Sequence, residues 1–430
     1  MKAFLTRILS YTRSDFVVHA YKLMSGSVLA QTLPILAAPL LSRIYTPANY
    51  GVLGLYMGIT GLVAMFGTLQ YAHAIVLAKD EEEAQQLIKL CLQILLGFVL
   101  FVAFTTLLFH QKIGYYFKSI ELSLWLWMAP FSILMNGFST IFGNYATRHQ
   151  HYSLISTNRI ISAVATTVCS LSIGYLFRSP LGLFAGLWVG QIINGLLLMT
   201  LTMRKSGIKW RDIVNAKTQA VVQRYINFPK FSLPSDFINS FTNQLPLFML
   251  NTYGSATAVG HYNMGNRILG LPIGFIAQSF SEVFRQRAAQ DYRETGSCKA
   301  IFLKTLKTLG LLSILPFSLL LIWGPEIFAW VLGEKWWEAG HYAQIMGIMF
   351  FFRFTVSPLT YVYYIANRQK EDLCLHLLFL LVAYLSFHAG YNYFGTTESA
   401  LYIFSILYSG IYCIYLLRSF QLSSGTAHKW

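Results

Sequence analysis

Apolar stretches long enough to cross a membrane recur about twelve times along these 430 residues, separated by short polar breaks. About 20 apolar residues in a helix span the hydrocarbon layer. Inside lipid every backbone N–H and C=O needs a partner within the protein, so only helices and closed barrels can cross. The alternating ten-residue segments of a barrel are not found here, and the expected fold is an all-α polytopic membrane protein. The stretches lie near 23–42, 52–77, 89–109, 122–145, 154–177, 181–203, 233–252, 257–283, 303–323, 341–366, 373–393 and 398–417. Hydrophobic residues make up 55% of the chain and charged residues 11%, which excludes an ordinary soluble domain.

The polar breaks orient the chain. With twelve spans the termini share one side with the even-numbered loops, and that side carries 24 lysines and arginines against five on the other. The asymmetry places both termini in the cytoplasm. The net charge of +15 is then mainly a topology signal. Arg204 to Lys230, the longest polar stretch, is too short to form a nucleic-acid-binding domain, so no nucleic acid partner is expected. That stretch also divides the spans six and six. The expected N-terminal lobe is 1–213, an interfacial amphipathic helix in the first 22 residues followed by spans 1–6; the C-terminal lobe is 214–430 with spans 7–12.

The halves echo each other. Gln31-Thr-Leu-Pro34 in span 1 resembles Asn243-Gln-Leu-Pro246 in span 7, and Tyr50-Gly51 before span 2 has a counterpart in Val259-Gly260 before span 8. Parallel repeats of this kind predict two six-helix lobes related by a pseudo-two-fold axis along the membrane normal, with a site between them.

Arginine inside such stretches points to what the protein handles. Arg267 and Arg353 fall near the middle of two spans, and Arg159 lies inside a third, closer to its cytoplasmic end. An arginine at the bilayer centre costs roughly 2.5–3.5 kcal/mol even on insertion scales, so it normally faces a wet cavity or a partner. Only Asp236 and Glu282 are carboxylates clearly within spans, and both fall toward a surface. A basic, water-filled path and an anionic substrate follow. Arg267 is the strongest candidate, with Asn263 on the same helix face. Arg43 ends span 1 as a gate or an interfacial anchor.

Polar stripes run along several spans: Ser132, Asn136, Thr140 and Asn144; Arg159, Ser162, Thr166 and Ser170; Ser235, Asn239 and Asn243; Arg353, Ser357, Thr360 and Tyr364. Each lines one helix face, either as glue between helices or as cavity lining. Catalytic motifs are missing, and the five scattered cysteines give neither a disulfide framework nor zinc spacing. No cofactor and no metal are expected. Asp80-Glu-Glu-Glu83 and His149-Gln-His151 read as solvated loops. Without an ATPase motif, uphill work needs an ion gradient (H+ or Na+), the membrane potential or a downstream sink, and Asp236 is the candidate for ion coupling.

Leu41-Ser-Arg43-Ile-Tyr45-Thr-Pro47-Ala-Asn-Tyr50-Gly51-Val52, with a second span ending Ala74-Ile-Val76-Leu-Ala78, resembles the first two spans of Wzx-type polysaccharide and O-antigen flippases. These form the polysaccharide branch of the multidrug/oligosaccharidyl-lipid/polysaccharide superfamily. Leu271-Pro272 through Val283-Phe284-Arg-Gln-Arg287-Ala288 is similar to that family's span 8 and the loop after it. The resemblance covers essentially the whole chain. It implies a lumen lined mainly by spans 1, 2, 7 and 8, which holds Gln31, Asn239 and Asn243 beside Arg267. It also implies transfer of undecaprenyl-diphosphate-linked oligosaccharide from the cytoplasmic to the periplasmic leaflet of a bacterial inner membrane. The implied cationic lumen falls on Arg267, with Arg43 a weaker match and Arg353 outside those four spans. Implied partners are the lipid-linked oligosaccharide, membrane lipids, a polysaccharide polymerase and a chain-length regulator. Alternatives are a cation-coupled multidrug exporter, a peptidoglycan lipid flippase, or a membrane glycosyltransferase or ligase.

Overall fold

The computed structural model describes residues 30–216 and 218–425; the expected amphipathic helix in the first 22 residues lies outside them. The described residues contain helices, turns and no strand. In chain order the main helices are α1 (Ala38–Ile44, after helical residues 30–36), α2 (Pro47–Thr68), α3 (Glu81–Tyr116), α4 (Ile120–Arg148), α5 (Tyr152–Phe177) and α6 (Leu181–Ser206). They continue with α7 (Leu233–Tyr253), α8 (Ala256–Pro272), α9 (Lys299–Leu332), α10 (Glu334–Ile365), α11 (Gln369–Phe394) and α12 (Thr397–Ser423).

Nine of these are long and apolar enough to cross a membrane: α2 to α6 and α9 to α12. The expectation of about twelve differs at α1, α7 and α8. The first part of span 1 precedes the described residues. α7 and α8 are helical but lower in apolar content, because Ser235, Asp236, Asn239 and Asn243 occupy one, and Asn263, Asn266 and Arg267 the other. Span 8 also runs past its expected end at 283. Beyond Pro272 a wide π turn, Ile273–Ala277, leads into a further helix, Gln278–Thr295, that carries Arg285, Arg287 and Arg293.

The chain divides into two compact units, one of residues up to Tyr45 and Leu55–Ser240, the other of Thr46–Gly54 and Phe241–Trp430. In the first unit the core gathers Leu87, Ile88, Cys91 and Leu95 of α3 against Phe142 and Tyr145 of α4. Small polar residues glue its helices. The Ser132 hydroxyl bonds to Tyr56 at 2.7 Å and donates to Gln191 at 2.8 Å. Ser162 donates to the Gly190 carbonyl at 2.8 Å, and Thr166 and Ser170 press on Gly190 and Gly186. Tyr45 donates to the Ser170 carbonyl at 2.7 Å. From Ser162 to Ser170 the α5 stripe is therefore a packing seam, whereas in the α4 stripe only Ser132 packs this way, and Thr140 and Asn144 bond to carbonyls of their own helix.

The acidic run Asp80–Glu83 is not a free loop. Asp80 caps α3 by accepting from the Glu83 N–H at 2.8 Å, satisfying a donor that would otherwise be orphaned. Glu83 is buried and pairs with Arg224 at 2.7 Å. Lys89 donates to the Val214 and Ala216 carbonyls at 2.6 and 2.7 Å, so the polar segment after α6 is fastened along the start of α3. Tyr145 donates to Glu81, and Arg148 to the Ala78 and Asp80 carbonyls. The nearby His151 is held below the ordinary histidine pKa by burial and by Lys205 and His149.

In the second unit, glycines let helices touch backbone to backbone. A Cβ at Gly51 would lie 1.8 Å from the Ala256 carbonyl oxygen, and one at Gly260 would lie 1.8 Å from that of Pro47. The start of α2 and the start of α8 thus cross reciprocally, each glycine against the residue four before the other. The sequence echo between Tyr50-Gly51 and Val259-Gly260 corresponds to this contact. Gly324 of α9 and Gly340 of α10 meet in the same way. Side-chain hydroxyls then tie α12 inward, Ser405 to the Ile345 carbonyl at 2.8 Å and Tyr408 to that of Phe379 at 3.0 Å.

Gly260→Ala should destabilise this unit by about 1–3 kcal/mol, since the added methyl meets backbone that cannot rotate away; thermal melting in detergent measures it, and an unchanged melting temperature would contradict the crossing. Glu83→Gln should expose the segment around Arg224 to trypsin at a rate several-fold higher than in the wild type, and equal cleavage would show that the ion pair does not fasten it.

Candidate functional site

Polar residues on four helices of the second unit enclose a cavity of about 220 Å³. α7 supplies Thr242, Asn243, Gln244, Pro246 and Leu247; α8 supplies Tyr262, Asn263 and Asn266; α10 supplies Met349 and Arg353; α12 supplies Phe404 and Tyr408. Local sequence explains the lining. Pro246 lacks an N–H, so the Thr242 carbonyl four residues earlier loses its ladder bond at the cavity wall. Asn263 and Asn266 are three apart on α8 and share a face. Gly265, on another side of that helix, faces the Ala339 carbonyl and Ala343 and lets α8 pack on α10. Gly54 makes room for the Asn263 amide, which lies 2.6 Å from where a Cβ would stand.

Arg353 is the charged member. Its guanidinium lies 5.6 Å from the Phe350 ring centre, and its charge reaches Tyr262, Tyr408 and Tyr412. It is half-buried and, among the described residues, in no ion pair. The cavity lining includes one arginine, four side-chain amides and no carboxylate. Such a set offers several N–H donors and one permanent positive charge, which suits an anion with several oxygen acceptors.

The structure gathers Arg353, Asn243 and Asn263 from the residues singled out in the sequence. Arg267 is exposed one residue beyond Asn266, outside the cavity lining, and its charge acts on Tyr50 at the start of α2. Asn239 and Asp236 are exposed on α7 four and seven residues before Asn243 and belong to the first unit. Arg43, at the end of α1, Arg159 on α5 and Gln31 are likewise exposed parts of the first unit. Sequence reasoning missed Thr242, Gln244, Asn266, Tyr262 and Tyr408. Gln244 and Asn266 adjoin residues that were singled out, and Asn266 is three from Asn263, a spacing that could have found it. Tyr408 is one of 26 tyrosines and carries no such mark.

The fold has known counterparts. An inward-facing multidrug resistance MATE family transporter of the MOP superfamily matches with a TM-score of 0.71 at 13% identity, covering 90% of this chain and 93% of the other. The lipid II flippase MurJ, in an inward closed conformation, also matches with a TM-score of 0.71, at 14% identity over 93% of this chain and 89% of that one. A MOP superfamily transporter from Pyrococcus furiosus, described by the reversed polarity of its binding pocket, gives 0.64 at 13% identity over 95% and 96%. At these identities the likeness is one of fold.

In sequence, the chain is 20% identical over 325 residues to the succinoglycan biosynthesis transport protein ExoT of Rhizobium meliloti (strain 1021). The match covers 72% of this chain and 62% of that relative's length. The family model for polysaccharide biosynthesis proteins matches residues 40–341. With that match extending over well more than half its length, the chain belongs to the family of polysaccharide biosynthesis proteins.

Proposed function

We propose that this protein is a flippase that carries an undecaprenyl-diphosphate-linked oligosaccharide, an O-antigen or other surface-polysaccharide unit, from the cytoplasmic to the periplasmic leaflet. The observation that carries the reading is Arg353, without an ion pair among the described residues and grouped with the amides of Asn243, Gln244, Asn263 and Asn266 in a cavity of membrane helices. The diphosphate is the part of such a lipid that cannot enter hydrocarbon unaided, and guanidinium recognises phosphate oxygens two at a time. Tyr262, Tyr408 and Phe404 supply ring faces for the sugar, while the prenyl tail stays in lipid. Arg267, exposed beyond Asn266, is a second cation on the path. The family membership and the transport role named for ExoT support a polysaccharide cargo.

The charge of the cavity weighs against a cation exporter on the same fold, which would want a carboxylate where this cavity has an arginine. In this reading the protein sits in the inner membrane with both termini cytoplasmic, as the 24-to-5 distribution of basic residues favours. It works by alternating access, coupled to H+ or Na+ with Asp236 as the coupling carboxylate, and serves a polysaccharide polymerase and its chain-length regulator.

In a strain lacking the gene, lipid-linked saccharide should accumulate on the cytoplasmic leaflet while surface polysaccharide disappears, and the wild-type gene should reverse both. Arg353→Ala, expressed at the wild-type level, should restore less than a tenth of the surface polysaccharide. Losing one charge-assisted pair costs roughly 1.5–3 kcal/mol, a factor of about 10 to 100. Arg353→Lys should recover only part of the activity, because the charge returns without the planar fork. Full restoration by Arg353→Ala, or altered resistance to cationic compounds with normal polysaccharide, would overturn the proposal.

A further inference from the structure

A second and larger cavity, about 440 Å³, lies in the same unit where the start of α11 meets the end of α12. Leu375, Ile414 and Leu417 form its wall, and Ile414 and Leu417 are otherwise exposed. On a membrane helix such leucines and isoleucines face acyl chains. Its mouth is charged. Lys370, Glu371, Arg418 and Gln421 stand there together.

The ion pairs at this mouth leave one cation over. Arg418 grips Glu371 with two bonds, Nε at 2.8 Å and an Nη at 3.1 Å, and its side chain is only 8% exposed. Arg368 reaches the same carboxylate at 3.3 Å. Asp372 is buried, accepts from Tyr415 and has His376 at 3.8 Å. Both arginines are thus engaged with Glu371 and Asp372 with Tyr415 and His376, while Lys370 is exposed and has no ion pair among the described residues. The wall also includes Tyr363, a buried phenol whose hydroxyl has Ser419 beside it but no hydrogen bond of good geometry.

We infer that this groove is a binding site for an anionic phospholipid, with an acyl chain along Leu375, Ile414 and Leu417 and the phosphodiester on Lys370. The single free ammonium matches a headgroup with one negative charge. A diphosphate carrier would call for more than one free cation, and here both arginines are spent on Glu371. The position fits as well, because a residue in the first turn of one spanning helix and residues in the last turns of the next lie at an interface. This site is separate from the Arg353 cavity and does not depend on its cargo.

The test is native mass spectrometry of the purified full chain, delipidated and then titrated with phosphatidylglycerol, phosphatidylethanolamine or undecaprenyl phosphate. Phosphatidylglycerol should be retained at least threefold more than phosphatidylethanolamine. Lys370→Ala should erase that preference while leaving phosphatidylethanolamine retention unchanged. Cys374→Trp, at an exposed position on the groove wall, should reduce retention of both phospholipids. Equal retention of the two phospholipids by the wild type, or a preference that survives both substitutions, would overturn the site. So would preferential capture of undecaprenyl phosphate that Lys370→Ala weakens, since the groove would then belong to the carrier lipid. Melting temperatures within a degree or two of the wild type would show that both variants fold.

Discussion

A charge at membrane depth must have somewhere to go, and that constraint organises the second unit of this protein. Arg353 lies within a helix apolar enough to span a bilayer, where an unaccommodated guanidinium would oppose insertion. Among the described residues it is accommodated without a carboxylate. α7 and α8 carry so many amides and hydroxyls that their composition falls short of a lipid-facing span, and they bring Thr242, Asn243, Asn263 and Asn266 to its cavity. A carboxylate would have cancelled the charge. Amides leave it available to an anion.

The second device is close backbone approach at glycine. Association between membrane helices gains little from burying apolar surface, since lipid is itself apolar, and rests on packing and hydrogen bonds. Gly51 and Gly260 let α2 and α8 cross with carbonyl oxygens where a methyl would otherwise stand. Gly324 and Gly340 do the same for α9 and α10, and Gly186 and Gly190 seat the hydroxyls of α5 against α6. The same small residues that weaken an isolated helix thus set which helices pack.

Much of the fold was legible in the sequence because the membrane admits so few solutions. Apolar length alone located each of the nine most apolar helices, but several ends moved: α2 stops at Thr68, nine residues before its expected end, where Leu69 and Gln70 turn into the left-handed region, and α3, α9, α10 and α12 run on past theirs. The Asp80–Glu83 run was harder, since its partner Arg224 lies 141 residues away from Glu83 and no local spacing announces it. The site was partly legible. Arg353, Asn243 and Asn263 stood out as polar residues in apolar surroundings, but periodicity could not rank Arg353 above Arg267, because the side on which each arginine stands is set by how α8 packs on α10. Stripes that looked alike proved different for the same reason: Ser162, Thr166 and Ser170 meet the glycines of α6, whereas Asn243 lines a cavity.

The central claim is that Arg353 gives a cavity of membrane helices its affinity for a lipid-linked diphosphate. Binding of undecaprenyl diphosphate to the purified protein, followed by intrinsic tryptophan fluorescence across a range of salt, tests it most directly. The account predicts affinity that falls as salt rises, drops about tenfold or more in Arg353→Ala, and is unchanged in Lys370→Ala. Equal binding by the wild type and Arg353→Ala would contradict it.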